Sequence, residues 1–317
     1  MHHPIIINAS AAKLGGAKTI VDSFIAWIKV NDGDTPFILL CPQKPSDLPD
    51  NVTYIAKYTG GLGTWLFSCF WIAWICLRHR ARACISFNNV NLVLPLCTRI
   101  TYFHQAKAFT ENSLRFRLIR WAIRRLKRSR IIVQSPLIAE QFQQCFGTGY
   151  QLDVKWPGIQ PPEAAERQRQ RQKHRQLLWP VTDPTVRQKN LAWFEQHQQW
   201  FINNDIEVLV TSDIPLTLPF FKPIGLQSRD TLFRRYREVD GVLIVSSEET
   251  LCLPIFEAAS VGANVYVLDM PYIRAIESWR GLPDNVTVIN GPEQIDFSVS
   301  HPNPINLSYY QPDWQIY

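Results

Sequence analysis

Two carboxylates eight positions apart, Glu249 and Glu257, carry the most informative chemistry in this chain. They lie in the segment Val245 to Val265, VSSEETLCLPIFEAASVGANV. The apolar run ahead of it reads as a strand that ends at Ser246-Ser247. Glu249 then falls in a short loop, and Pro254 occupies a first helical turn, where its missing N–H removes no hydrogen bond. Glu257 stands one turn further in. That arrangement aims the backbone N–H groups of Cys252 and Leu253 above a helix N-terminus, where the macrodipole favours an anion such as phosphate. Both glutamates can face the same space and accept hydrogen bonds from the hydroxyls of one extended ligand. Carboxylates suit sugars because they bind pairs of hydroxyls. Taken singly, the features have plainer readings: Glu257 complements a helix dipole, Lys189 is a solvated lysine, Gly15-Gly16 is a turn, and His104 is a structural histidine at a strand end.

The elements that must position these groups alternate. Strands are predicted at Ile5 to Asn8, Pro36 to Cys41, Val52 to Ala56, Ala83 to Phe87, Arg99 to Phe103 and Arg130 to Gln134, with helices at Ala17 to Val30, Trp65 to Arg82 and Leu114 to Arg128. The pattern restarts with strands at Leu177 to Val181, Ile206 to Thr211, Gly241 to Ser246 and Asn264 to Leu268, and helices at Asn190 to Asn203, Arg229 to Arg237 and Pro254 to Val261. Such alternation predicts parallel sheets covered on both faces. The 317 residues suit two domains better than one core. The expected fold is therefore α/β, two doubly wound Rossmann-like lobes with a ligand cleft facing the carboxyl ends of their sheets. The expected boundaries are an N-terminal Rossmann-like domain at 1–160, a linker or exposed helix at 161–176 around the polar run ERQRQRQKHRQ, a C-terminal Rossmann-like domain at 177–295, and a tail at 296–317 that can return to the first lobe.

Composition narrows the class. At 46% hydrophobic and 19% charged residues the chain is globular rather than disordered. Its seven cysteines form no C-x-x-C pair, which argues against a zinc ribbon, a thioredoxin site or a disulfide framework and for reduced thiols. Met1 to Pro4 lead straight into an apolar strand rather than a secretory signal, so a cytoplasmic location is expected. The net charge of +6 is concentrated: from Thr64 to Arg130 the only acidic residue is Glu111. Such a field favours an anionic surface. Beside it runs WLFSCFWIAWICL, Trp65 to Leu77, thirteen apolar or small residues and too short to span a bilayer. Trp65, Trp71 and Trp74 with Arg124, Arg125, Lys127 and Arg128 suit an interfacial anchor on an anionic membrane rather than nucleic acid. The same run also reads as a core helix of the first lobe, and one face can serve each role.

Taken in order, the motifs resemble those of the GT-B glycosyltransferases of family 4, retaining enzymes that use nucleotide-sugar donors. E-x7-E followed by A-A-S-x-G-A-x-V looks like their signature, and INASAAKLGGAKTIVDSFI resembles their first strand, glycine loop and helix. TYFHQAKAF, IIVQSPLIAEQF with VKWPGI, VRQKNLAWF and IGLQSRDTLFRRYREVDGVLIVSS resemble the histidine strand, the crossing between lobes, the lysine turn and the nucleotide-base loop. By this resemblance Glu249 and His104 would act at the transferred sugar, and Glu257 would hold the ribose. The amides of Cys252 and Leu253 with Lys189 would hold the diphosphate, Gly15 and Gly16 would close on it, and Gly225 would lie in the base loop. Oriented amides and an ammonium stabilise a leaving diphosphate as its charge grows, so no metal and no cofactor beyond the nucleotide-sugar co-substrate is implied.

One departure stands out. The family places an Arg five residues before the Lys, but position 184 is Pro, so either Arg187 substitutes from two residues away or the diphosphate rests on Lys189 alone. The resemblance further implies a glycan or polyprenyl-diphosphate-linked acceptor, bacterial surface-polysaccharide assembly of the O-antigen, capsule or lipopolysaccharide kind, and a peripheral position at the inner face of the cytoplasmic membrane. Two other readings stand beside it: another GT-B activity such as nucleotide-sugar epimerisation, or a non-catalytic membrane-binding module. A Rossmann oxidoreductase is disfavoured, because no G-x-G-x-x-G follows the first strand.

Overall fold

A computed structural model describes residues 3–13, 15–162, 175–298 and 306–317. Most of the expected linker at 161–176 and part of the tail lie outside the described residues. The chain forms two compact units, Met1–Gly158 with Pro312–Tyr317, and Ile159–Gln311. The expected tail is thus divided, its first part counting with the C-terminal unit and its last six residues with the N-terminal one.

The N-terminal unit is built on β1 (Ile5–Asn8), β2 (Phe37–Cys41), β3 (Val52–Ala56), β4 (Ala83–Ser86), β5 (Thr98–Phe103), β6 (Arg130–Val133) and β7 (Gln151–Val154). They form one parallel sheet in the order β3-β2-β1-β4-β5-β6-β7. In β1 and β2, IIIN and FILLC, every residue is buried, as expected where helices cover both faces. The C-terminal unit repeats the design with β8 (Arg175–Trp179), β9 (Ile206–Val210), β10 (Phe221–Pro223), β11 (Gly241–Ile244), β12 (Val265–Leu268) and β13 (Val286–Ile289), ordered β10-β9-β8-β11-β12-β13. β7, β10 and β13 and the helices Pro136–Phe146 and Pro271–Arg280 have no counterpart among the expected elements. Edge strands this short bury little, and FKP carries a proline tolerated only at an edge, so their signal is weak.

Each sheet reverses its winding beside its first strand, between β1 and β4 and between β8 and β11. Those are the switch points where open α/β sheets bind ligands. The chain leaving these four strands reaches Gly15-Gly16, Asn88-Asn89, Lys189 and Glu249 before or at the start of the next helix.

Three local expectations are corrected. Gly15 and Gly16 open the helix Gly15–Asn31 instead of forming a separate turn, Gly15 having φ +66°. The single helix expected over 190–203 is two, Leu191–Gln196 and Gln198–Asn203, broken at His197. The tryptophan-rich helix runs Gly61–Arg78, and at 18 residues with mean hydropathy 1.3 it is long and apolar enough to cross a membrane by length and composition. A π-helical segment at Phe67–Trp71 turns consecutive residues Phe67, Ser68 and Cys69 inward, and with Ile72 and Cys76 they are buried in the N-terminal unit.

Candidate functional site

In the C-terminal unit the lysine turn and the glutamate loop are tied together. Arg187–Lys189 forms a short 3-10 turn, and Asn190 follows in the left-handed region at φ +61°, a conformation that Asn tolerates. The Asn190 side-chain amide donates to the Val245 carbonyl at 3.0 Å, and the Ser247 N–H donates to the Gln188 carbonyl at 2.8 Å. Held this way, the Lys189 ammonium pairs with the Glu249 carboxylate. Burial works against the Lys189 charge, but the facing Glu249 prevails and the lysine's pKa is raised. Arg187 is exposed on the same turn and makes no ion pair among the described residues.

The next helix begins as the sequence requires. Cys252 precedes it at φ +57°, and Pro254 sits in the first turn of Leu253–Ser260. Glu257 is only 6% exposed. Burial raises its pKa, and the Arg229 guanidinium, 3.5 Å away, opposes that rise. Arg229 opens the helix Arg229–Glu238 behind an N-cap, Ser228, whose hydroxyl accepts from the Thr231 N–H. It also donates to the Gln160 carbonyl at 3.0 Å and lies over the Phe233 ring. Gly225 has φ +74°, a left-handed conformation that glycine adopts without strain and most side chains do not.

In the N-terminal unit His104 directly follows β5, beside a cavity of about 560 Å³ at the carboxyl edge of the sheet. Beneath it lies a buried polar cluster in which Asn8 donates to Ser68, and Asn88 donates to Asn8, Ser10 and Ser68, at 3.0 to 3.2 Å. Burial pushes the His104 imidazole down to about 4, so the ring is neutral at pH 7. Its Nδ1 has no hydrogen-bond partner among the described residues.

No family model matches the chain, and no curated protein matches it. Solved structures do. Sucrose-phosphate synthase from Thermosynechococcus elongatus matches with TM-score 0.63 at 12% identity, over 94% of this chain and 87% of that one. WaaG, a glycosyltransferase involved in lipopolysaccharide biosynthesis, matches with TM-score 0.60 at 12% identity, over 93% and 87%. The catalytic domain of starch synthase IV from Arabidopsis thaliana, bound to ADP and acarbose, matches with TM-score 0.57 at 10% identity, over 86% and 84%. The fold is the two-lobed GT-B fold of these glycosyltransferases.

Within that fold, several residues that the sequence analysis does not single out hold the expected site groups. Asn190 and Arg229 fall inside the quoted motifs without an assigned role, and the left-handed turn at Asn190 is a signal that asparagine could carry; Asn89 carries no sequence signal. Among the described residues the buried Tyr236 hydroxyl has no hydrogen-bond partner, and burial with the nearby Glu257 raises its pKa; burial, with Cys252 and Glu249 beside it, raises that of Tyr272. Among the described residues, no group of three His, Cys, Asp or Glu side chains could hold a metal ion. The seven cysteines are all unpaired.

The proposed anchor residues divide. Trp71 and Trp74 are 64% and 65% exposed. Trp65 is only partly exposed: its indole N–H donates to the Leu118 carbonyl at 3.0 Å and its ring packs on Phe70 and Trp121. The basic helix stops at Arg125 rather than Arg128, and Arg124, Arg125, Lys127 and Arg128 are all exposed.

Proposed function

We propose that this protein is a retaining family-4-type hexosyltransferase that moves a sugar from a nucleoside diphosphate donor to a glycan or polyprenyl-diphosphate-linked acceptor. The observation that carries this reading is the Lys189–Glu249 pair, held one loop away from the buried Glu257 at the switch point of the second sheet. In this reading Lys189 and the amides of Cys252 and Leu253 take the diphosphate, Glu257 the ribose, and Gly225 the loop beside the base. Gly15 and Gly16 approach the phosphates. Glu249 and His104 bind hydroxyls of the transferred sugar. A neutral His104 adds no charge where an oxocarbenium-like centre forms. The leaving diphosphate gains charge as the glycosidic bond breaks, so a prepositioned ammonium and amides favour the transition state over the ground state, with no metal required. A structural relative of the same fold is bound to ADP, which supports a nucleoside diphosphate as the shared donor element.

The setting we propose is the inner face of the cytoplasmic membrane, in surface-polysaccharide assembly. Exposed Trp71 and Trp74, with Phe70 against Trp121, form an aromatic surface next to Arg78 and Arg125, each of which lies over an indole. Cations beside interfacial indoles suit an acidic leaflet.

Thermal melting of the purified chain with UDP-, GDP- and ADP-sugars tests the donor assignment, because a ligand bound only by the folded state raises the melting point. One nucleotide class should shift it, and the anomeric configuration of the product should match the donor's. A chain that melts identically with every nucleotide and transfers no sugar refutes the reading.

A further inference from the structure

Glu257 must be ionised to accept hydrogen bonds from a pair of hydroxyls, because a protonated carboxyl gives up part of its acceptor capacity. Its surroundings oppose that charge: the residue is buried, and burial raises its pKa. Among the described residues its paired cation is Arg229, with Nε 3.5 Å from Oε1, while Lys189 pairs with Glu249 instead. The other titratable groups packed about its helix are neutral at pH 7. Tyr236, from the helix that Arg229 opens, and Cys252, ahead of Glu257's own helix, are buried with raised pKa values. Those of Tyr266 on β12, of Tyr272, and of Tyr309, whose ring stacks on Phe256, are raised as well. Asp230, next to Arg229, is exposed to solvent.

Arg229 stands in a first helical turn, where a positive charge opposes the macrodipole and an acid is the favoured occupant. Its guanidinium is nevertheless fixed on three sides: Nη2 donates to the Gln160 carbonyl at 3.0 Å, the Phe233 ring centre lies 4.9 Å away, and Nε faces Glu257. We propose that Arg229 is a positioning residue, which holds Glu257 ionised and in place before any ligand arrives. Its consequence for nucleotide binding rests on the ribose reading of Glu257; its hold on the carboxylate does not. Without the guanidinium, burial alone would govern the carboxyl, and protonation would reach it at a higher pH.

Carbon-13 spectra of the whole chain labelled at glutamate Cδ, with Glu257→Gln assigning the peak, read this ionisation directly. The Glu257 midpoint should lie below pH 7 in the wild type, rise by about one unit in Arg229→Gln, and return most of the way in Arg229→Lys, which keeps the charge. Calorimetry with UDP, GDP and ADP between pH 5.5 and 8 gives the second readout. For a nucleotide that binds, the ratio of wild-type to Arg229→Gln affinity should grow as the pH falls, by up to about tenfold, the limit that one unit sets. The titration of the nucleotide itself cancels in that ratio, and a Glu257→Gln background should abolish the growth. A ratio equally large at every pH reports lost structure alone and overturns the inference, as does a midpoint that Arg229→Gln leaves unmoved. If Arg229→Gln fails to fold, a wild-type Glu257 still protonated at pH 7 overturns it without any variant. A midpoint that moves while nucleotide affinity does not follow supports the hold of Arg229 on Glu257 and refutes the ribose reading alone.

Discussion

Asn89 sets the protonation of His104. Its side-chain carbonyl accepts the His104 backbone N–H at 2.7 Å, which leaves its Nδ2 facing the ring Nε2 at 3.4 Å. An amide nitrogen only donates, so Nε2 accepts and the neutral ring carries its proton on Nδ1. That proton points to no partner among the described residues. Asn89 itself holds φ +63°, a conformation that few side chains accept without strain. Asn89→Ala should therefore release the tautomer while the sheet stays intact. Nitrogen-15 spectra of the ring should show the Nδ1–H form in the wild type and a mixture in the variant, with turnover falling about tenfold. An Nε2–H ring in the wild type contradicts this positioning role.

The low pKa of His104 carries a stability consequence. Its folded value of about 4 lies below the ordinary value of 6.5, so between them the unfolded chain binds the extra proton. This contribution is complete above pH 6.5, declines as the pH falls towards 4, and changes no further below that. Each unit of difference corresponds to about 1.4 kcal/mol. Urea titrations of wild type and His104→Gln from pH 4 to 7 should show the wild type losing more stability on acidification. Parallel curves would show that His104 is not buried neutral.

The Lys189–Glu249 pair predicts opposite effects from its two members. Lys189→Met should weaken nucleoside diphosphate binding by about 1.5 to 3 kcal/mol, the range for hydrogen bonds to charged groups. Glu249→Gln removes the carboxylate that competes for the ammonium, so diphosphate affinity should hold or rise while turnover falls by orders of magnitude. Calorimetry in which both substitutions weaken binding equally would place Glu249 on the nucleotide rather than on the sugar.

Glu257→Gln should keep the fold and lower nucleoside affinity by about 1 to 3 kcal/mol. Arg229 is 38% exposed at its side chain, so water takes over its charge when the carboxylate is gone. The comparison with free ribose phosphate isolates the assignment: unchanged affinity for both ligands would remove Glu257 from the ribose site.

Replacing Arg124, Arg125, Lys127 and Arg128 with Glu should reduce co-sedimentation with anionic liposomes, each cation being worth about 1 kcal/mol near an acidic leaflet. Trp71→Ser with Trp74→Ser should remove the part that survives high salt. Glycosylation of a soluble acceptor should be unaffected. Equal partitioning of all three proteins would return the basic helix to a solvated surface.

Much of this molecule is written in local pattern. Buried parallel strands such as IIIN, FILLC and GVLI are continuous apolar runs, and Pro254 behind a strand end fixes where a helix can start, so the α/β class with parallel sheets is legible in the sequence. The E-x7-E spacing likewise placed Glu249 and Glu257 on one loop and one helix turn. What sequence could not supply depends on neighbours far along the chain. The hydrogen bonds from Asn190 to Val245 and from Asn89 to His104 join loops that leave different strands, and only sheet order makes those loops adjacent. Burial decided the rest. Trp65 and Trp71 belong to one apolar run, yet a π-helical segment turns one ring onto Leu118 and leaves the other exposed. His104 reads as any strand-end histidine until the packing around it removes water and pushes its charge away. Patterns along the chain determine which elements form; the charge and exposure of a side chain are set by atoms that only the tertiary structure brings beside it.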